Sequence, residues 1–126
     1  TSAYSSFVNG GLDWHPSASV FSGAGISETG ALFSYQANWE SAGRWSVEIL
    51  TKKHRLIFRP IEKLQIQNRG SVQIDFVDNI DYSLDVTYKP GLFLQNSHFI
   101  NCNHNDLLKI EKFVNLLSSY YLISSK

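Results

Sequence analysis

The chain has 126 residues, of which 43% are hydrophobic and 13% aromatic, so it is long enough for one folded domain and too apolar for a disordered segment. Eleven Lys and Arg side chains balance eleven Asp and Glu side chains, which excludes a nucleic-acid or anionic-membrane surface built on bulk charge. No run of about 18 apolar residues is present. We therefore expect neither a nucleic-acid partner nor a membrane partner.

Cys102 is the single cysteine, so the sequence excludes an intrachain disulfide and a four-cysteine zinc site. A reducing cytoplasm is the expected location. The first residues, TSAYSSFVNGG, lack the basic and apolar regions of a signal peptide. Methionine is absent, so either an initiator was removed before Thr1 or the sequence is an excised C-terminal domain, and both explanations stay open.

The first part of the chain predicts short strands separated by glycine-rich turns. Residues 4–8 contain candidate strand positions, and residues 17–22 alternate weakly between apolar and polar side chains. The segment GAGISETG, residues 23–30, is predicted to be a turn. Its spacing is not G-x-G-x-x-G and no helix pattern follows, so we do not expect it to bind phosphate.

The strongest pattern runs from Gly30 to Ile66, where apolar and polar residues alternate with the period of a half-buried strand. Short polar links, together with the missing backbone donor of Pro60, divide the segment into separate strands. We predict an antiparallel meander. Its strands are predicted at residues 32–39, 44–51, 54–58 and 61–66, with a further strand at residues 72–76.

The period changes after Pro90, which suits the first turn of a helix. Residues 77–84 form a polar connection before it, and residues 85–89 are ambiguous. A short helix is predicted near Phe93, and a final amphipathic helix follows. The apolar stripe of that final helix is Leu107, Ile110, Val114, Leu117 and Tyr121. Strands followed by helices predict an α+β fold, an open and mostly antiparallel sheet with C-terminal helices packed on one face.

Asp13 and His15 form a close acid–imidazole pair in the sequence. On an extended segment, residues i and i+2 point to the same side, so both side chains can share a site in which His15 acts as a general acid or base. The alternative is a structural loop around Trp14 and Pro16, because no third catalytic group is evident.

Zinc-type ligands occur at His98, Cys102 and His104, but no second cluster supplies the remaining donors of a zinc site. The sequence favours a polar corner between helices there. The aspartates between residues 75 and 85 lack the spacing of a calcium loop and predict a solvated connection. We therefore predict no metal ligands.

The three tryptophans, Trp14, Trp39 and Trp45, have two possible roles. Large amphipathic rings suit an association surface on the uncovered sheet face. The usual burial of tryptophan favours the alternative, in which all three belong to the core.

The patterned part of the chain reads GAGISETGALFSYQANWESAGRWSVEILTKKHRLIFRPIEKLQIQ, with GLDWHPS before it and YKPGLFLQNSHF after it. These stretches together resemble the C-terminal domain of Gfo/Idh/MocA-type oxidoreductases, which include glucose–fructose oxidoreductase and inositol dehydrogenase. The resemblance covers roughly residues 12–121. It implies that residues 1–126 are a single C-terminal substrate and oligomerisation domain of a larger enzyme, whose N-terminal Rossmann domain is absent from this chain.

The resemblance implies an enzyme that oxidises or reduces a sugar, sugar derivative or cyclitol. NAD or NADP would be bound by the missing Rossmann domain, so this chain alone is expected to bind no cofactor and to be inactive. Trp14 and Arg44 are predicted to line the substrate cleft, with His15 as the catalytic candidate. The exposed sheet face is expected to form a homo-oligomer.

Two other hypotheses stay open at this point. The chain can be a free-standing association or carbohydrate-binding β-sheet module without catalysis, in which exposed aromatic rings supply stacking surfaces. It can also be a small α+β enzyme that uses Asp13 and His15, which is the third choice.

Overall fold

The computed structural model describes residues 3–124 of the chain. They form two compact units: the first is drawn from Thr1–Gly43 and Leu108–Lys126, and the second is the continuous segment Arg44–Leu107. In chain order the elements are β1 (Ala3–Asn9), β2 (Val20–Ile26), β3 (Leu32–Asn38), β4 (Val47–Leu50), β5 (His54–Phe58), β6 (Leu64–Asn68), β7 (Ile74–Phe76), α1 (Ser83–Thr87), α2 (Leu92–Ile100), a 3₁₀ turn (His104–Asp106) and α3 (Ile110–Ser124).

The first unit is a three-stranded antiparallel sheet, ordered β1-β2-β3, with α3 packed against β1 and β2. Its register aligns Asn9, Val20 and Asn38 at one end of the sheet. The hydroxyl of Ser6 donates a hydrogen bond of 3.1 Å to the carbonyl of Leu122 in α3. Since side chains alternate along a strand, the side chains of Ser6 and its i±2 neighbours lie on the face covered by α3.

The predicted turn at residues 23–30 is wrong for its first half. Gly23 and Gly25 lie inside β2, paired with β1 on one side and β3 on the other. The chain reverses only after β2, where the backbone N–H of Gly30 donates to the carbonyl of Ser27 at 3.0 Å. Gly23 stands directly opposite Tyr35, whose ring occupies the place where a Cβ would project. The glycine therefore serves side-chain packing and not chain reversal.

The second unit contains a four-stranded antiparallel meander, ordered β4-β5-β6-β7. The sequence placed residues 32–39 in the same meander as residues 44–51, and this pairing is wrong. All seven residues of β3 pair with β2, which lies only one short turn earlier in the chain. The loop between β2 and β3 is shorter than the segment between β3 and β4, so pairing β3 with β2 costs less loop-closure entropy than pairing it with β4. The meander accordingly begins at β4.

One face of the second sheet, called the apolar face, carries mainly apolar side chains together with Asp75. The register places on it Val47, Ile49, Leu56, Phe58, Leu64 and Ile66. Val47 and Ile49 are 45% and 47% exposed. On the opposite face, Arg55 Nη2 lies 2.5 Å from Glu48 Oε2, and Ile57 is buried. This sheet thus has one apolar face and one mixed face.

The structure has antiparallel sheets followed by C-terminal helices, so the predicted α+β fold class is confirmed. The short helix near Phe93 is α2, whereas α1 was not predicted.

Asp81 Oδ1 accepts a 2.8 Å hydrogen bond from the backbone N–H of Ser83 at the start of α1. That hydrogen bond lowers the pKa of Asp81. The final helix begins at Ile110 and not near Leu107, because a 3₁₀ turn precedes it.

Among residues 3–124, the helices are too short or too polar to cross a bilayer.

Replacement of Gly23 by Ala should destabilise the first unit, because the new methyl group would overlap the Tyr35 ring. We expect a loss of about 1–3 kcal/mol in the free energy of unfolding, measured by urea denaturation. The matched control is Gly43→Ala, whose Cβ would have no neighbour within 4 Å and which should change stability by less than about 0.5 kcal/mol. Equal stability of the two variants would contradict the packing role of Gly23.

Candidate functional site

The candidate site lies at the end of the first sheet where β1 ends, β2 begins and β3 ends. A four-residue reversal projects from the loop between β1 and β2. In it the N–H of His15 donates to the carbonyl of Leu12 at 2.9 Å, and the N–H of Leu12 donates back at 3.1 Å. The extended segment expected around Asp13 and His15 is therefore wrong, and the argument that both side chains point to one side no longer applies. Trp14 stands at the tip of the reversal.

His15 has a defined tautomer. Its Nδ1 lies 2.7 Å from the carbonyl oxygen of Ala18, and a carbonyl can only accept a hydrogen bond. Nδ1 therefore carries the proton of the neutral ring, and Nε2 carries the lone pair. The hydroxyl of Ser17 is 3.4 Å from the same Nδ1, which is too long for a second strong bond. Within residues 3–124, Nε2 makes no hydrogen bond, so it can exchange a proton with a ligand.

Two tryptophan rings meet beside this histidine. Trp14 and Trp39 lie edge to face, with ring centroids 5.7 Å apart and planes at 78°. The His15 ring contacts Trp14 at 5.9 Å and Phe21 at 6.1 Å. Trp14 is 67% exposed and Trp39 is 54% exposed. The core interpretation of the tryptophans is wrong, because these two rings project from a reversal and a strand end, and Trp45 is also exposed.

A carboxylate is fixed next to Trp39. The buried hydroxyl of Ser19 donates a short hydrogen bond to Glu40 Oε1. The backbone of Ser19 joins the neighbouring strands, because its N–H donates to the carbonyl of Asn9 and its carbonyl accepts from the N–H of Trp39, both at 2.9 Å. Gly10, at φ 71°, leaves room for this arrangement, since a Cβ there would overlap Ser19 and Glu40. We call Trp14, His15, Phe21, Trp39 and Glu40 the sheet-end cluster.

Sequence analysis missed Glu40 and Ser19 as members of this site. Neither residue belongs to a motif, and the hydrogen bond that joins them spans 21 positions of the chain. The available signal was Gly10, one of two adjacent glycines, since a glycine often marks a close approach by another part of the chain. Because Gly10 has no Cβ, the Glu40 carboxylate can lie close to its backbone.

Arg44 belongs to the second unit, where its Nη2 lies 3.7 Å from Glu62 Oε2. It lines an open cavity of about 200 Å³, below the 300–1,000 Å³ typical of ligand pockets. The other residues around this cavity are Pro60, Glu62, Lys63, Tyr82, Asp85, Val86 and Pro90. A role for Arg44 in substrate binding stays a prediction.

The residues considered for zinc form a polar corner at the end of α2. His98 Nδ1 lies 3.4 Å from Asp106 Oδ2, and the rings of Phe99 and His104 are in contact. Cys102 is exposed, and its backbone φ angle is 55°. In the part of the chain that the structure describes, no group of three or more His, Cys, Asp or Glu side chains is arranged to hold a metal ion.

The glycine-rich segment of residues 23–30 does not have the geometry of a dinucleotide loop. A dinucleotide cradle needs free backbone N–H groups at the start of a helix. Gly23 and Gly25 instead sit in the middle strand of a sheet, and the next element after β2 is another strand. This segment therefore does not form the glycine-rich loop of a dinucleotide site, and cofactor binding by the chain stays a matter of prediction.

Comparisons with protein-family models, curated proteins and solved structures gave no match.

Two tyrosine hydroxyls share a hydrogen bond on the α3-covered face of the first sheet. The hydroxyls of Tyr4 and Tyr35 are in short contact, and their rings stack with centroids 6.3 Å apart. Burial, assisted by this hydrogen bond, raises the pKa of Tyr35 from 10.0 to about 12. Because the folded-state pKa lies above the unfolded value, the pair stabilises the fold fully below pH 10, and that stability is lost as the pH rises towards 12.

We expect one of the six tyrosines to ionise later than the others in a spectrophotometric titration of phenolate absorbance. Tyr4→Phe should lower the pKa of this late tyrosine, because the hydrogen bond is lost while the burial remains. Tyr121→Phe, at a 71% exposed position of α3, is the control and should leave the pKa unchanged. Ionisation of all six tyrosines together near pH 10 would refute the assignment.

Proposed function

We propose that this chain is the C-terminal, substrate-side and association domain of an NAD(P)-dependent oxidoreductase that acts on a sugar, sugar derivative or cyclitol. The observation that carries the proposal is the sheet-end cluster. In it two exposed tryptophan rings contact each other, one of them contacts an imidazole with an open Nε2, and Ser19 fixes the carboxylate of the residue after Trp39. The sequence resemblance supports the same class of substrate.

The chemistry of the cluster suits a ring that carries hydroxyl groups. The flat faces of Trp14 and Trp39 offer apolar surface to the C–H groups of such a ring, while their edges leave room for polar contacts. Glu40 can accept hydrogen bonds from substrate hydroxyls. Oxidation of an alcohol releases a proton from the hydroxyl, and His15 Nε2 is the basic group of the cluster suited to take it. The cofactor would be held by a separate domain.

The apolar face of the second sheet supports the proposed association. It combines half-exposed Val47 and Ile49 with four further apolar side chains on adjacent strands. An apolar patch of this kind on a sheet is typical of subunit contacts. We propose that a second copy of the chain covers it in a homo-oligomer. The single cysteine agrees with a proposed location in the cytoplasm.

The alternative is a free-standing carbohydrate-binding or association module without catalysis. It is favoured by the exposure of Trp14 and Trp39, because a stacking platform needs no cofactor and no catalytic group. The two functions share the ligand class and differ in the presence of a cofactor-binding domain.

The reading frame upstream of the Thr1 codon distinguishes them. We expect it to encode a strand followed by G-x-G-x-x-G and a helix, and then an E-K-P motif, as the resemblance implies. A start codon directly before Thr1 would overturn the oxidoreductase proposal and leave the binding module.

Trp14→Ala should weaken the binding of a neutral sugar or cyclitol to the chain. Loss of one aromatic face corresponds to about a tenfold rise in Kd, measured by isothermal titration calorimetry with glucose and myo-inositol. The matched control is Leu32→Ala, which removes an exposed apolar side chain at the opposite end of the same sheet and should leave Kd unchanged. An equal effect of both substitutions would argue against the cluster as the sugar site.

A further inference from the structure

We infer that the sheet-end cluster binds an uncharged polyol ring and rejects sugar phosphates and sugar acids, with Glu40 as the specificity-determining residue. The inference rests on the proposed function, because it names the substrate class of the same site. It follows from how Glu40 is held and from the charges around it.

Glu40 is held in place before any ligand arrives. Ser19, only 1% exposed, bonds one carboxylate oxygen, and the backbone N–H of Glu40 donates to Asn38 Oδ1 at 2.9 Å. The second oxygen, Oε2, makes no hydrogen bond to other residues between 3 and 124. A carboxylate side chain that is already anchored at one oxygen loses little conformational entropy when its other oxygen accepts a hydrogen bond from a hydroxyl group. Glu40 is thus a preorganised acceptor, held by Ser19 on the residue that follows Trp39.

The chain segment that contains the whole cluster is acidic, and the basic Lys side chains of the first unit lie outside that segment. The first 43 residues contain no Lys and no Arg, and their ionisable acids are Asp13, Glu28 and Glu40. His15 is the basic side chain among them, and its Nδ1 proton is already committed to Ala18. The described remainder of the first unit adds Lys109 and Lys112 near the start of α3, and neither forms an ion pair within residues 3–124.

These two features determine which ligands fit. A hydroxyl group donates its hydrogen to the Glu40 carboxylate, which is a favourable contact. A phosphate or a second carboxylate at the same place has no hydrogen to donate at neutral pH and brings a like charge, which is repelled. Proteins that bind sugar phosphates supply Arg, Lys or a helix N-terminus for the anion, and the first 43 residues supply no cation of this kind.

The test compares myo-inositol with its monophosphate by calorimetry, on the full chain at neutral pH and low salt. We expect the wild-type chain to bind the monophosphate at least tenfold more weakly than myo-inositol. Glu40→Gln keeps the shape and one acceptor but removes the charge, so it should reduce this ratio to about threefold or less. Glu28→Gln is the matched control, since it removes the same charge from the turn at the other end of the sheet and should leave the ratio unchanged.

A second measurement needs no variant and keeps the inference testable if Glu40→Gln does not fold. Raising the salt concentration should strengthen monophosphate binding to the wild-type chain and leave myo-inositol binding unchanged, because only the repulsion is screened. Glu40→Asp, which keeps the charge, should keep part of the discrimination.

The possible results distinguish failure of the inference about Glu40 from failure of the proposed function. Equal affinity of the wild-type chain for both ligands, or equal effects of Glu40→Gln and Glu28→Gln, would overturn the inference while sugar binding leaves the proposed function standing. Failure of glucose, myo-inositol and the monophosphate to bind at all would overturn the proposed sugar site together with the inference.

Discussion

Ser19 is the residue on which the arrangement of the first unit depends. Its backbone joins the end of β1 to the end of β3, and its buried hydroxyl fixes Glu40. Loss of any of these bonds would leave a polar group buried without a partner, which costs more than the bond itself contributes. The close approach is possible because Gly10 has no Cβ. Structure and candidate function therefore share the same hydrogen bonds.

The second unit is stabilised in a different way. Its meander pairs strands that are neighbours in sequence, so its contacts are local. Six apolar side chains share one face, and Leu50, Ile57, Ile74 and Phe76 lie on the other. The mixed face uses the ion pair of Glu48 and Arg55 next to the buried side chain of Ile57. Exposed ion pairs of this kind contribute little to stability. The apolar contacts of this sheet consequently contribute more to its stability than the ion pair does.

Local patterns in the sequence predicted the elements well and their partners less well. Alternation identified β3 and β5, and the apolar spacing after Pro90 identified α2, because these signals depend on residues close in the chain. The partner of β3 was wrong, because alternation gives a strand its two faces but not its neighbour. Gly23 looked like a turn residue, and only the Tyr35 ring opposite it explains why it lies in a strand.

For the site, sequence analysis named Trp14 and His15, which the structure places together. Their predicted extended backbone was wrong, because the mutual hydrogen bonds of Leu12 and His15 close a reversal that residue spacing does not reveal. Glu40 was missed because its partner is remote in the chain. Arg44 lies in the second unit, so its link to the same chemistry stays a prediction.

The order in which the units appear along the chain has a consequence for synthesis. The second unit is continuous from Arg44 to Leu107, whereas the first unit is interrupted and is completed by α3. A ribosome therefore synthesises the whole of the second unit before it begins the helix that covers the sheet of the first. At the usual 5–20 residues per second, the fifteen residues of α3 are added within about one to three seconds. Until α3 has been made, the face of β1 and β2 that it later covers lacks its packing partner.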